Sequence, residues 1–170
     1  MADQSAKERP IVTVRGLVPD EQGRLLFIYE KGPNLWVPPG GRLEHGEEMY
    51  EAIEREVYEE TGYKTKVDKF AFVYDQVLGS IDWHVVQMYF LMQPVLSSEL
   101  NEEWEDLDTE YDYGVRRLKF MSLEDIKNEE WVEPQFISDF MMGNLGDSYI
   151  PYIKTAQEHE DVIFKKRAQA

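Results

Sequence analysis

The sequence predicts a single α+β domain, built as a mixed β-sheet between helices. Three observations predict it. Strand-like and helix-like apolar patterns run in the order strands, helix, strands, helices. The 170 residues suit one domain better than two. The composition, 42% hydrophobic and 13% aromatic, is enough to fill a core.

The elements follow in chain order. Residues 11–18 are rich in β-branched side chains and read as a strand. Pro19-Asp20-Glu21-Gln22-Gly23 is a turn by composition, and residues 24–29 read as a second strand. The pair is expected to form a hairpin. Lys31-Gly32-Pro33-Asn34 breaks the pattern before a short extended piece, Leu35-Trp36-Val37. Pro38-Pro39-Gly40-Gly41 then argues against regular structure and permits unusual backbone angles.

Residues 47–61 carry the best helical pattern, with Glu47 and Glu48 at the positive end and Gly62 as a left-handed stop. Two long β-like runs follow, 64–76 and 83–95, and then an acidic stretch from 97 to 114. Residues 115–121 read as another strand. Ser122 is placed to cap a short helix. Residues 133–142 read as a helix with Pro134 at its start. The tail from Tyr152 is polar and expected to be helical or frayed. This divides the chain into a flexible N-terminus at 1–9, a domain at 10–150 and a C-terminal helical tail at 151–170.

The charge narrows the function. The chain has 34 acidic and 18 basic side chains, a net charge of −16. Such a chain is a poor binder of polymeric nucleic acid, where attraction runs on Lys and Arg. No run approaches the roughly 18 apolar residues of a membrane span. Cysteine is absent, which removes disulfides and thiolate metal sites. The expectation is a soluble cytoplasmic protein without membrane or nucleic-acid partners. An anionic substrate would need positive charge supplied locally, and divalent cations held by carboxylates supply it.

The helix pattern says where. With Met49 as zero and about 100° per residue, Ala52, Met49, Ile53 and Val57 form an apolar stripe from roughly 300° to 80°. Glu51, Glu54 and Tyr58 fall on the far side, an ordinary solvated face. Glu56 and Glu60 fall near 340° and 20°, within the stripe, and Glu59 lies beside them near 280°. Carboxylates on a core-facing stripe are costly and repel one another. Divalent cations relieve both problems, so the pattern predicts a metal cradle at Glu56, Glu59 and Glu60. Hard oxygen donors with no His or Cys cluster suit Mg²⁺, with Mn²⁺ as the substitute. Such ions bridge phosphate oxygens, neutralise charge and acidify a bound water, the services that diphosphate cleavage needs.

These residues resemble the Nudix box: Gly, five residues, Glu, seven residues, then Arg-Glu-apolar-any-Glu-Glu-any-Gly-apolar. The chain supplies Gly41, Glu47, Arg55, Glu56, Val57, Glu59, Glu60, Gly62 and Tyr63 at that spacing, with Tyr63 aromatic where an aliphatic is commoner. The resemblance implies an α/β/α sandwich and Mg²⁺-dependent hydrolysis of nucleoside diphosphates linked to another moiety. The substrate would be an NDP-sugar, ADP-ribose, a dinucleoside polyphosphate or a nucleoside triphosphate. It implies Glu56, Glu59 and Glu60 as metal ligands, joined by the Gly40 carbonyl, with Glu47 at the edge and Arg55 orienting the glutamates. It also points to a homodimer.

The box does not fix the general base. Glu110 and Asp112 are the favoured candidates, just before the 115–121 strand; a merely solvated acidic loop is the alternative. Arg15 and Arg42 are candidates for phosphate contacts, although isolated arginines are more often surface residues. Trp36, Tyr74, Trp83 and Phe90 are candidates for stacking on a base, although strand aromatics are more often core. His84 reads as a structural histidine, and Trp104 in the acidic loop suggests a lid or dimer contact. Two other functions compete. A catalytically silent nucleotide-sensing domain would have lost box glutamates, and none is lost. An isomerase of the same fold would want a cysteine acid.

Overall fold

A computed structural model describes residues 9–30, 35–78, 83–95, 117–129, 132–134, 136–142 and 152–154, the last as backbone only. The strands are β1 (Ile11–Leu17), β2 (Leu25–Glu30), β3 (Leu35–Val37), β4 (Gly40–Arg42), β5 (Thr65–Leu78), β6 (Trp83–Pro94), β7 (Arg117–Met121) and β8 (Tyr152–Lys154). The helices are α1 (Met49–Thr61), α2 (Leu123–Asn128) and α3 (Ile137–Met141). Two sheets form, a five-stranded one in the order β4-β1-β6-β5-β8 and a three-stranded one in the order β3-β2-β7. The first is mixed: β1 runs parallel to β6 and antiparallel to β4. The predicted mixed-sheet α+β class is what is found.

The five-stranded sheet is covered on both faces. On one, Ala52, Ile53 and Val57 of α1 pack with Val14, Phe90 and Met92 and reach Leu26, Ile28 and Leu118 of the second sheet. On the other, Leu17, Phe72, Tyr74 and Tyr89 pack with Ile126 of α2 and Ile137 of α3. Strand alternation explains the division, because successive side chains of β1 and β6 serve opposite cores. Gly16 lets α1 come close: a Cβ there would lie 2.8 Å from Val57 Cγ2.

Several elements differ from the sequence reading. Strands β1 and β2 do not form the expected hairpin. The chain does turn back at Asp20, whose carboxylate accepts from the backbone N–H groups of Gln22 and Arg24, but strand pairing there stops at one bridge, Pro19 to Leu25. Both edges of β1 are already taken, by β4 and β6, so β2 pairs in the other sheet. Gly40-Gly41, expected to be irregular, belong to β4; Gly40 reaches its place at φ +149°, which side-chain-bearing residues avoid. Helix α1 starts at Met49, two residues later than expected, because residues 44–47 form a turn closed by Glu47 N–H on Glu44 O.

The helix expected from 133 begins only at Ile137. Glu133 N–H donates to Trp36 O and Val132 bridges Trp36, which holds that segment extended. Tyr152–Lys154, expected to be helical or frayed, adds to β5 as a parallel strand; its alternative was an unpaired sheet edge. The remainder of that tail, the N-terminus before Arg9 and residues 115–116 lie outside the described residues. The other described elements fall close to where they were expected, and Ser122 caps α2, its Oγ accepting from Asp125 N–H at 3.1 Å. Among the described residues no helix is long and apolar enough to cross a membrane.

Candidate active site

The box residues meet where β4 runs into α1. Gly62 ends α1 in a left-handed conformation, φ +68°, with its N–H on Tyr58 O at 2.7 Å. Four acidic side chains gather there: Glu47 just before the helix, and Glu56, Glu59 and Glu60 in its second half, with Glu56 and Glu60 against the Gly40–Gly41 backbone.

Arg55 gathers three of them. Its Nε and Nη2 donate to the two carboxylate oxygens of Glu47 at 2.8 and 2.9 Å, a bidentate pair. Its Nη1 donates to Glu56 Oε1 at 2.9 Å and Glu59 Oε2 at 3.1 Å. The Glu47 hydrogen bonds, ahead of those from Glu56, hold Arg55 well above its ordinary pKa. The same bonds hold the Glu47 carboxyl below its usual range. Glu56 moves the other way. Burial pushes it up, more than Arg55 pulls it down, and neighbouring Glu59 adds to the rise.

Glu60 is the deepest of the set, 4% exposed. Its Oε2 accepts from Gly40 N–H at 2.7 Å. The Glu56 carboxylate lies over Gly41, where a Cβ would come within 2.5 Å of all three of its terminal atoms. The glycines of β4 thus leave a hollow that the carboxylates of α1 fill. Glu59 is the most open, its side chain 40% exposed.

Glu56 and Glu60 do sit against the core, and Glu59 beside them, as the helix pattern predicts. Glu54 does not lie on an ordinary solvated face: it is half-buried, because it accepts from Lys66 Nζ and from Val67 N–H and so ties α1 to β5. Among the described residues no three acidic or histidine side chains converge on one point as they stand. Arg55 is wedged between Glu47, Glu56 and Glu59, and Glu60 is turned to the Gly40 amide. The donor set still fits a hard divalent cation: anionic oxygens, one of them raised in pKa by burial, around a backbone that glycine keeps open.

Arg15 is a contact the sequence reading missed. It does not stand free for phosphate; its Nη1 donates to Pro38 O at 3.0 Å and Gly40 O at 3.2 Å, with Glu30 at 3.7 Å. The signal was an arginine inside an otherwise apolar strand, at a position alternating inward with Thr13 and Leu17. Burial alone would lower its pKa, but Glu30, Tyr89, Glu60 and Glu56 raise it overall. Arg42 is exposed. Tyr74 and Phe90 are core residues, 2% and 1% exposed. Trp36 is half-buried against Tyr29. His84 Nε2 lies 2.9 Å from Asp75 Oδ1, a contact between β6 and β5. Glu110, Asp112, Trp104 and the side chain of Trp83 lie outside the described residues.

A family model for the NUDIX domain matches residues 9–140. The chain is 42% identical over 80 residues to a MutT-like protein of Streptomyces ambofaciens, covering 46% of this chain and 52% of that one. It is 38% identical over 82 residues to diphosphoinositol polyphosphate phosphohydrolase 3-alpha of Homo sapiens, covering 48% and 46%. The chain therefore spans about half the length of these relatives. Its fold is similar to a solved NUDIX hydrolase from Nitrosomonas europaea, with a TM-score of 0.64, 25% identity, and coverage of 83% of this chain and 98% of that one. With the box intact from β4 through α1, the sandwich around it and the family model spanning most of the sequence, this chain belongs to the NUDIX domain family.

Proposed function

We propose that the chain is a divalent-metal-dependent pyrophosphohydrolase that cleaves the diphosphate link of a nucleoside diphosphate derivative. One observation carries this reading: Glu47, Glu56 and Glu59 share a single guanidinium directly beside the buried Glu60 and the glycine backbone of β4. That concentration of carboxylate against a core is costly for a structural role and suited to binding cations.

Glu56, Glu59 and Glu60 would hold Mg²⁺, or Mn²⁺ in its place, with the Gly40 carbonyl and Glu47 at the margin. When bound, such a cation neutralises phosphate charge and acidifies water. Arg55 orients the carboxylates, with a bidentate grip on Glu47. Glu59, the most open carboxylate, is the one best placed to meet solvent and substrate. A general base from Glu110 or Asp112 completes the reading.

The substrate class is an NDP-sugar, ADP-ribose, a dinucleoside polyphosphate or a nucleoside triphosphate. A panel of these, with a diphosphoinositol polyphosphate added because one relative carries that name, tests the proposal. Nucleotide or phosphate release is expected with Mg²⁺, absent with chelator and lost in Glu59→Gln. Tight nucleotide binding with no turnover of any substrate would favour a sensing domain instead.

A further inference from the structure

Gly40 is held from two sides. Its N–H donates to Glu60 Oε2 at 2.7 Å, and its carbonyl accepts from Arg15 Nη1 at 3.2 Å. Arg15 and Gly40 are register partners between β1 and β4, so the guanidinium folds back onto its own neighbour in the sheet. The same Nη1 reaches Pro38 O at 3.0 Å, which fixes the two-proline entry into β4. Behind it, Glu30 of β2 lies at 3.7 Å and offsets its charge. The Arg15 side chain is 16% exposed, so it is committed to these partners and not presented to solvent. Gly40 itself has no slack, since a Cβ there would lie 2.1 Å from Val14 O.

We propose that Arg15 is a positioning residue: by holding the Gly40 carbonyl, and through the Gly40 backbone the Glu60 carboxylate, it sets the geometry of the cation site. This rests on the reading of Glu56, Glu59 and Glu60 as cation ligands. A carbonyl oxygen has two lone pairs. Arg15 engages one at 3.2 Å, and under this proposal the other would serve a hard cation. Arg15 thus links the second sheet, through Glu30, to the ligands on α1. It acts on the cation through Gly40 and does not touch the phosphates.

The test measures Mn²⁺ affinity of the substrate-free protein by electron paramagnetic resonance, alongside KM and kcat. Arg15→Gln is expected to weaken Mn²⁺ binding about 10-fold, within the range for residues that orient metal ligands, and to lower kcat with KM for substrate little changed. Arg15→Lys keeps the charge without the fork and should recover part of the affinity. Glu30→Gln, at a more exposed position, should shift affinity the same way by a smaller factor. If Arg15→Gln fails to fold, Arg15→Lys and Glu30→Gln decide. Unchanged Mn²⁺ affinity in the folded variants, with KM raised, would make Arg15 a phosphate contact and overturn the proposal. Glu59→Gln separates the two readings. If it too leaves Mn²⁺ affinity unchanged, the cation site is wrong; if it weakens binding while the Arg15 variants do not, only the positioning role fails.

Discussion

The amide of Gly40 donates to the carboxylate of Glu60 at 2.7 Å, joining the edge strand β4 to the last turn of α1. Both groups are buried, so each satisfies the other where water cannot. Gly40→Ala is expected to break this bond, because its Cβ would lie 2.1 Å from Val14 O and the residue sits at φ +149°. The predicted loss is about 2–4 kcal/mol, read as a lower urea midpoint. A midpoint unchanged from the parent chain would show that β4 adjusts freely.

Glu59→Gln should separate function from stability. Glu59 is 40% exposed, and its one described partner, Arg55, keeps Glu47 and Glu56. Stability should stay within about 0.5 kcal/mol of the parent, as for most surface changes. Under the proposed function, kcat should fall by about 100-fold or more. Melting and steady-state kinetics on one preparation check both halves.

Added Mg²⁺ should stabilise the fold, because the proposed ligands come together only when β4 and α1 are in place. Saturation at about 100 times Kd corresponds to about 2.7 kcal/mol. The melting temperature should rise with Mg²⁺ and fall back with chelator, and Glu60→Gln should abolish the response. A melting temperature indifferent to both additions counts against the cation site.

Asp20 gives the fold an acid-sensitive turn. Burial tends to raise its pKa, but hydrogen bonds from the Arg24 side chain and from the Arg24 and Gln22 amides lower it overall, below 3.8. A lowered pKa means that its stabilisation is complete above about 3.8 and is lost as pH falls through the folded value. Asp20→Asn should therefore destabilise the protein at pH 7 by about 1–2 kcal/mol, with the difference closing as the pH falls below 3.8. Urea melts of both proteins across that range measure the convergence.

Much of this was legible in the sequence, and what was missed has physical causes. The α1 pattern located Glu56 and Glu60 against the core because a helical period fixes which face a residue occupies. Strand partners were not legible: β1 and β2 are neighbours in sequence, yet β1 had both edges filled by strands from elsewhere. Local pattern says nothing about competition for an edge. Glu54 was misread because its partners, Lys66 and Val67, come from β5. Arg15 was visible as an anomaly in an apolar strand, but its acceptors are carbonyls, which no side-chain pattern reveals.

The approach of α1 to the sheet offers the sharpest packing test. Gly16 faces Val57 and Ile53, and a Cβ added there would stand 2.8 Å from Val57 Cγ2, 3.2 Å from Met92 Cγ and 3.4 Å from Ile53 Cδ1. Gly16→Ala should overpack this seam and cost about 1–3 kcal/mol. Val57→Ala alone removes buried methyl groups from a residue that is 0% exposed, and should also destabilise. Together they should partly compensate, since Val57→Ala vacates the place that the new methyl needs. The double variant should be more stable than the sum of the singles by at least about 0.5 kcal/mol, the level at which neighbours couple. Strict additivity would mean that α1 shifts as a body to admit the methyl. Glu56 and Glu60 would then move with it, and activity of Gly16→Ala would fall further than its stability.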